Sequence, residues 1–184
     1  MPAPEKPWFP IHTERLILRE FREGDLADVH AYAVMPEVSR FMTWGPNTAE
    51  ESREFLDRAL ASQADWPRGH VGLAIERNAV VIGSIRLDLH DDAGADLGYT
   101  LSQDHWRQGI ATEAARAVLA EAFGSLGLHR VWATCDVDNT GSFSVMEKLG
   151  MRREAYFRQD RFIRGAWRDS YLYAILAEEW ISPG

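Results

Sequence analysis

At 184 residues the chain is long enough for one domain with a proper hydrophobic core, and its 46% apolar and 26% charged content is that of a globular protein, not a disordered one. A net charge of -8 supplies no basic face for a phosphate backbone and argues against a nucleic-acid binder, whereas an acidic protein suits a cationic substrate such as an amine. The single cysteine, Cys135, excludes an internal disulfide, fits a reducing compartment and, lying in a strand-like run, reads as a buried, inert thiol.

The first twelve residues carry Pro2, Pro4, Pro7 and Pro10 and read as a proline-rich extension ahead of one domain, 13–184. No segment is long and apolar enough for a secretory leader or a membrane span, so the expected compartment is the cytoplasm. Residues 13–21 read as a strand with Leu16 and Leu18 alternating against Arg15, Ile17 and Arg19. Helices are expected over 25–34 and 49–61, the second with Phe55, Leu56, Ala59 and Leu60 on one face and Glu50 and Glu51 in the first turn, where the helix dipole favours anions. Between them, residues 41–46 form an aromatic loop without a period of its own.

Residues 70–76 and 80–90 alternate as a hairpin turning at Arg77-Asn78, and Asp91-Asp92-Ala93-Gly94 leads into a strand over 95–101. Residues 110–123 are the clearest helix, with apolar pairs from Ile110/Ala111 to Ala122/Phe123 recurring every four residues. A strand over 130–137 follows, then a helix over 140–149 stopped by Gly150, whose missing Cβ suits a left-handed cap. Strands over 151–160 and 167–176 close the chain.

The chemistry-bearing segment runs from Leu101 through Trp106, Arg107, Gln108, Gly109, Ile110, Ala111 and Thr112, where a strand feeds an amphipathic helix through a glycine. A helix start exposes unpaired N–H groups and the positive end of the dipole, so a phosphate is stabilised there if no side chain blocks it. Gly109 and Ala111 leave the approach open and Arg107 offers a charge; the plainer reading is a glycine that eases a tight loop into a helix. Neither G-x-x-x-x-G-K-[ST] nor a strand-linked G-x-G-x-x-G occurs. One strand later, Asn139 and Ser142 open another helix at a strand's carboxyl end, where open α/β sheets bind ligands and where Asn and Ser also act as ordinary caps.

The pair of segments resembles the GNAT superfamily of acetyl-CoA N-acetyltransferases, whose phosphate loop [R/Q]-x-x-G-x-[G/A] is matched by Trp106-Arg107-Gln108-Gly109-Ile110-Ala111. Thr13-Glu14-Arg15-Leu16-Ile17-Leu18-Arg19, Leu97-Gly98-Tyr99, Trp106 through Glu113-Ala114, and Asn139-x-x-Ser142 followed by Glu147-Lys148-Leu149-Gly150-Met151 resemble the RimJ/RimL-like branch, in this order. The resemblance implies an α/β (α+β) GNAT fold: one mixed, mostly antiparallel sheet, helices on both faces, and a splayed strand pair forming the acyl-CoA cleft. It also implies acetyl-CoA as cofactor, with Tyr99, Thr100 and Leu101 pairing with the acyl-pantetheine and a main-chain N–H near Leu101 donating to the thioester oxygen. The chain departs from the general pattern at Trp106, which replaces Arg or Gln, and at Met146, which replaces a tyrosine able to protonate the leaving thiolate.

Asp96 is the first candidate base, against a solvated acid beside the Asp91-Asp92 turn; Asp160 is the second, with Arg161 beside it able to bind a carboxylate or face solvent. Ser142, or a water it holds, is the candidate proton donor to the thiolate, and Phe41 and Trp44 are candidate acceptor-pocket walls, against the plainer readings of helix cap and core packing. The six histidines are scattered without HxxxH or paired cysteines, so no metal is implied. The expected acceptor is an N-terminal α-amine of a protein or peptide, since its ordinary pKa of about 7.7–8.0 needs only a modest base. The alternatives are a small amine (antibiotic, polyamine or amino acid) and a non-catalytic acyl-CoA-binding module, in a monomer or homodimer. An open groove between residues 41–46 and 158–167 is the mark of a peptide acceptor, and a closed aromatic pocket that of a small one.

Overall fold

A computed structural model of the chain describes residues 7–64, 66–90 and 93–180. Among these, one sheet holds β1 (Ile11–His12), β2 (Ile17–Arg19), β3 (His70–Arg77), β4 (Val80–Leu89), β5 (Gly94–Leu101), β6 (Arg130–Asp136), β7 (Arg152–Ile163) and β8 (Ala166–Leu176). Their spatial order is β1-β2-β3-β4-β5-β6-β8-β7, and each neighbouring pair is antiparallel except β5 and β6. The helices are α1 (Leu26–Ala33), α2 (Pro36–Ser39), α3 (Ala49–Ala61), α4 (Ile110–Phe123) and α5 (Thr140–Lys148).

Strand alternation divides the sheet into two unequal faces. On one, Leu73, Ile85, Leu87 and Leu97 are at most 2% exposed and pack under Ile110, Ala114, Val118 and Leu119 of α4. Burying each of these branched side chains contributes about 2 kcal/mol, so this face holds most of the fold together. The other face is covered by α1 and α3 through Phe21, Val29, Tyr32, Leu56 and Ala74. Further along it the inward positions are polar or glycine (His70, Gly72, Ser84, Arg86, Asp96, Gly98 and Thr100), and these line a cavity where the first face has a core.

The parallel pair provides the opening. β5 and β6 are in register only at Gly94↔Arg130, Ala95↔Val131 and Asp96↔Trp132. Beyond Asp96, residues 97–101 remain paired with β4 and residues 133–136 with β8, so the two strands diverge and β5 is left with a free backbone edge.

Helices α3 and α4 have the bounds that periodicity indicates, and Thr48 and Glu51 add a reciprocal capping box at the start of α3. Gly150 takes φ +83°, the left-handed conformation expected after α5. The first long strand is shorter than the alternation suggests: β2 is three residues. Arg19, set by alternation on the strand side opposite Leu16 and Leu18, is 7% exposed because Asp25 receives both of its terminal nitrogens at 2.8 and 2.9 Å and Glu76 receives Nε. Ile11–His12, within the stretch read as an extension, pairs with β2, and the Asp91-Asp92 part of the expected turn lies outside the described residues. Helix α2 is a single turn, too short for a sequence period, and β7 and β8 extend to a tight turn at Arg164-Gly165 with φ of 51° and 77°. Among the described residues, no helix is long and apolar enough to cross a membrane.

Candidate active site

Helix α4 begins where the free edge of β5 ends. Gly109 is its N-cap at φ +76°, a left-handed conformation that costs a residue with a Cβ about 1–2 kcal/mol. Arg107 adopts φ +59°, so two left-handed residues turn the chain sharply around Gln108. Ile110, Ala111 and Thr112 follow as the first helical residues, whose N–H groups have no intrahelical acceptor. The Arg107 side chain is exposed and has no partner among the described residues, which leaves its charge available at the helix mouth. An anion there meets three aligned N–H groups, the positive dipole end and one guanidinium, without a Cβ at Gly109 in its way.

This loop is held from behind by residues 13–15, just ahead of β2. Arg15 donates Nη1 to the Gln108 carbonyl at 2.9 Å and pairs with Glu113 at 2.6 Å, while Thr13 Oγ1 donates to the same carboxylate at 2.6 Å. Burial alone raises the Glu113 pKa, but the hydrogen bonds from Thr13 and Arg15 outweigh it and hold the carboxyl below its ordinary value. Glu113 in the first turn repels an incoming phosphate; Arg15 neutralises it. Gln108 is tethered by its own side chain, donating to Asp104 O at 2.9 Å and accepting from Arg77 at 3.1 Å, so its side chain shapes the loop. Trp106 Nε1 donates to Leu101 O at 2.8 Å and fixes the end of β5 to the loop.

Across the cleft, Asn139 Oδ1 accepts from Ser142 N at 3.1 Å and caps α5. Ser142 faces β5: the Tyr99 hydroxyl donates to Ser142 O at 2.9 Å and lies 3.2 Å from Ser142 Oγ. Burial pushes the Tyr99 phenol far above its ordinary pKa, so it remains a neutral hydroxyl. Cys135 lines the same wall at 5% exposure, and burial followed by the nearby Asp136 raises its pKa to about 11, which keeps it a thiol. Met146, 1% exposed, completes this wall.

The cavity of about 930 Å³ passes through the splay, since Tyr99 and Cys135 lie on the α4 face and Asp96, Thr100 and Thr134 on the α1–α3 face. Asp96 stands at the apex, the last β5 residue paired with β6. Arg86 reaches it at 3.4 Å and lies over Gly98, where a Cβ would come within 2.7 Å of Nε. Arg86 also pairs with Asp88, which contacts His70 Nδ1, and burial, then Arg86, then Arg68 lower the His70 pKa. Phe41 and Trp44 line the far side together with Arg161, whose Nη2 donates to Thr134 Oγ1 at 2.6 Å. Above them, Arg164 Nη2 lies 2.9, 3.2 and 2.6 Å from the carbonyls of Ser39, Trp44 and Gly45, clamping the β7–β8 turn onto the 41–46 loop.

Comparison with known proteins decides the family. The family model described as an acetyltransferase (GNAT) domain matches residues 15–152, and the chain is 33% identical to the uncharacterized N-acetyltransferase YnaD of Bacillus subtilis over 172 residues, 92% of this chain and 98% of the relative. The chain belongs to the GNAT acetyltransferase family. A GNAT acetyltransferase from Bacillus anthracis superposes with a TM-score of 0.82 at 32% identity, covering 92% of this chain and 99% of the other. Mycobacterium smegmatis RimJ in complex with CoA-disulfide superposes at 0.79 with 25% identity over 89% of this chain and 83% of its own. The [ribosomal protein uS5]-alanine N-acetyltransferase of Escherichia coli is 31% identical over 88 residues, 48% of this chain and 45% of its own length.

Within the GNAT frame, the structure brings Asp96, Tyr99, Thr100, Asn139, Ser142, Phe41, Trp44 and Arg161 to one cavity. The residues Arg107, Gln108, Gly109, Ile110, Ala111 and Thr112 form the turn and helix start outside it, and Leu101 ends β5 between the two. Asp160 is not on the wall: it accepts from Ser170 Oγ at 2.7 Å within the β7–β8 hairpin. Sequence reading missed Tyr32, Arg86, the Tyr99 hydroxyl and Arg164. The alternation of β4 gives the face of Arg86, whereas nothing local in the sequence marks the other three. Among the described residues no cluster of three or more His, Cys, Asp or Glu is placed to hold a metal.

Proposed function

We propose that this acyltransferase moves the acetyl group of acetyl-CoA directly to the primary amine of a small molecule. The observation that carries the choice of acceptor is the Arg164 clamp, because it joins the two elements between which a peptide groove would open. The alternative, an N-terminal α-amine, is favoured by the partial similarity to the uS5-alanine enzyme.

The N–H groups of Ile110, Ala111 and Thr112, with Arg107, hold the pyrophosphate, and the free edge of residues 99–101 orders the pantetheine arm as an added strand. The thioester supplies an activated acyl group with a stable leaving thiolate. A main-chain N–H near Leu101 polarises its carbonyl oxygen, and such fixed donors supply about 3 kcal/mol to acyl transfer. Asp96, at the apex and open to the acceptor face, takes the proton from the amine directly or through water. As the C–N bond forms and the C–S bond breaks, Ser142 Oγ–H gives the departing sulfur its proton and is reprotonated from solvent water, which also takes up the proton that Asp96 removed; the neighbouring Tyr99 hydroxyl keeps Ser142 oriented. Cys135, held as a thiol, takes no part as a nucleophile.

Release of coenzyme A thiol in the presence of small primary amines and of short peptides tests this reading, with Arg164→Met measured beside the wild type. Opening the clamp is expected to raise the peptide-to-small-amine ratio of kcat/KM about fivefold, equivalent to about 1 kcal/mol. A wild-type preference for peptides that the variant leaves unmoved assigns the acceptor to the alternative.

A further inference from the structure

The part of the cavity lined by α1 lies across the sheet from α4 and contains a pair of hydroxyls. Tyr32 on α1 is 3% exposed and lines the cavity, yet its Oη makes no hydrogen bond within the protein. Ser84 on β4 lines the same cavity and is near enough to offset a little of the effect of burial on the Tyr32 phenol, but it stands outside hydrogen-bond geometry. Buried hydroxyls are almost always satisfied, because a polar group taken from water without a partner destabilises the fold. Selection for stability alone favours phenylalanine at such a position. Burial pushes the Tyr32 phenol far above its ordinary pKa, so it is a neutral donor at any working pH.

The surroundings define what can reach this pair. Ser84 is in register with Thr100, and Thr100 lies on the free stretch of β5 that borders the splay. A group held by Ser84 and Tyr32 is therefore one to two strand spacings from the splay, or about 5–10 Å. The same cavity is lined by the aromatic rings of Phe21, Phe55, Phe41 and Trp44, with Phe21 and Phe55 in edge contact at 5.5 Å between centroids.

We propose that Tyr32 Oη and Ser84 Oγ form a specificity subsite that hydrogen-bonds a polar group, such as a hydroxyl, on the far end of the acceptor. The acceptor class is then a small primary amine with an apolar or aromatic body and a hydrogen-bonding group some four to seven bonds from the nitrogen. This rests on the small-amine reading above and names the chemistry of that acceptor. No covalent step is involved; the pair orients the amine and selects it.

A matched pair of amines tests the subsite: tyramine, with a hydroxyl at the far end, and 2-(4-methylphenyl)ethylamine, with a methyl group of similar size in its place. The measured quantity is the tyramine-to-methyl ratio of kcat/KM in the wild type, Tyr32→Phe and Ser84→Ala, with thermal melting on each. The expected wild-type ratio is at least tenfold, since a site built to bond a hydroxyl discriminates against the analogue lacking it. In Tyr32→Phe the ratio is expected to fall to within twofold of unity, carried mainly by KM, while the melting temperature holds or rises because an unsatisfied hydroxyl has gone. Ser84→Ala is expected to give a smaller fall in the same direction. Acetylation of both amines with a ratio that neither variant changes overturns the subsite and leaves the small-amine reading standing. Inert amines beside acetylated peptides overturn the small-amine reading and the subsite together.

Discussion

The two ends of the cavity are built from different materials. The end proposed for the cofactor is made of backbone: the N–H groups at the start of α4, two left-handed residues and the free edge of β5, braced by Arg15 and Glu113. The end proposed for the acceptor is made of side chains delivered by α1, the 41–46 loop, α3 and the strands β3 to β7, joined by single contacts such as that of Arg164 from the β7–β8 turn. Backbone geometry tolerates little substitution and serves any acyl-CoA, whereas a wall of separate side chains can be exchanged one at a time. The difference explains how one scaffold keeps its cofactor while relatives differ in what they acetylate.

Changes at the two ends should therefore separate cleanly in kinetics. The largest effect is expected at the junction: Asp96→Asn lowers kcat/KM for the amine about 100-fold, the lower range for loss of a general base, with acetyl-CoA affinity nearly unchanged. A fall below threefold across the pH range assigns the proton to another group. Next, Gly109→Val places a branched residue at φ +76° and a side chain in the phosphate approach, weakening acetyl-CoA binding by calorimetry about 10- to 30-fold. Amine KM should follow only weakly.

Tyr99→Phe removes one hydrogen bond to Ser142, worth about 1 kcal/mol, so kcat should fall about fivefold with both KM values within threefold. Equal losses in KM for acetyl-CoA would instead mark the hydroxyl as a cofactor-binding group. The smallest expected effect is at the brace. Because its hydrogen bonds hold Glu113 below its ordinary pKa of 4.5, the brace is complete above that value and is lost as pH falls through the lower native one. Acetyl-CoA affinity should be flat from pH 8 to about 5 and decline below, and Glu113→Gln should lie about threefold weaker at every pH where the wild type is flat.

The contrast also governs what the sequence could reveal. The helix at 110–123, its entry through Gly109 and the capping pair Asn139 and Ser142 are local features, set by a few consecutive residues, and the structure keeps them where spacing and family resemblance indicate. Alternation sets Arg19 on the strand side opposite Leu16 and Leu18, but it does not mark the ion pairs with Asp25 and Glu76 that make its burial tolerable. Tyr32 faces Ser84 across 52 residues of sequence and Arg164 bonds Gly45 across 119, and no periodicity encodes such a meeting. Asp160 illustrates the converse: a carboxylate at a suggestive position is occupied by Ser170 within its own hairpin.

The central claim is that a backbone-built acetyl-CoA site feeds a side-chain-built pocket for a small amine, spanned by the Arg164 contact. Its most direct test is mass-spectrometric detection of the acetylated product from wild-type protein supplied with acetyl-CoA and an equimolar mixture of tyramine and alanine- and serine-starting hexapeptides. The structure predicts acetyl-tyramine as the dominant product, at least tenfold over either peptide, with one thiol released per acetyl group. Dominant acetylation of a peptide N-terminus would contradict it.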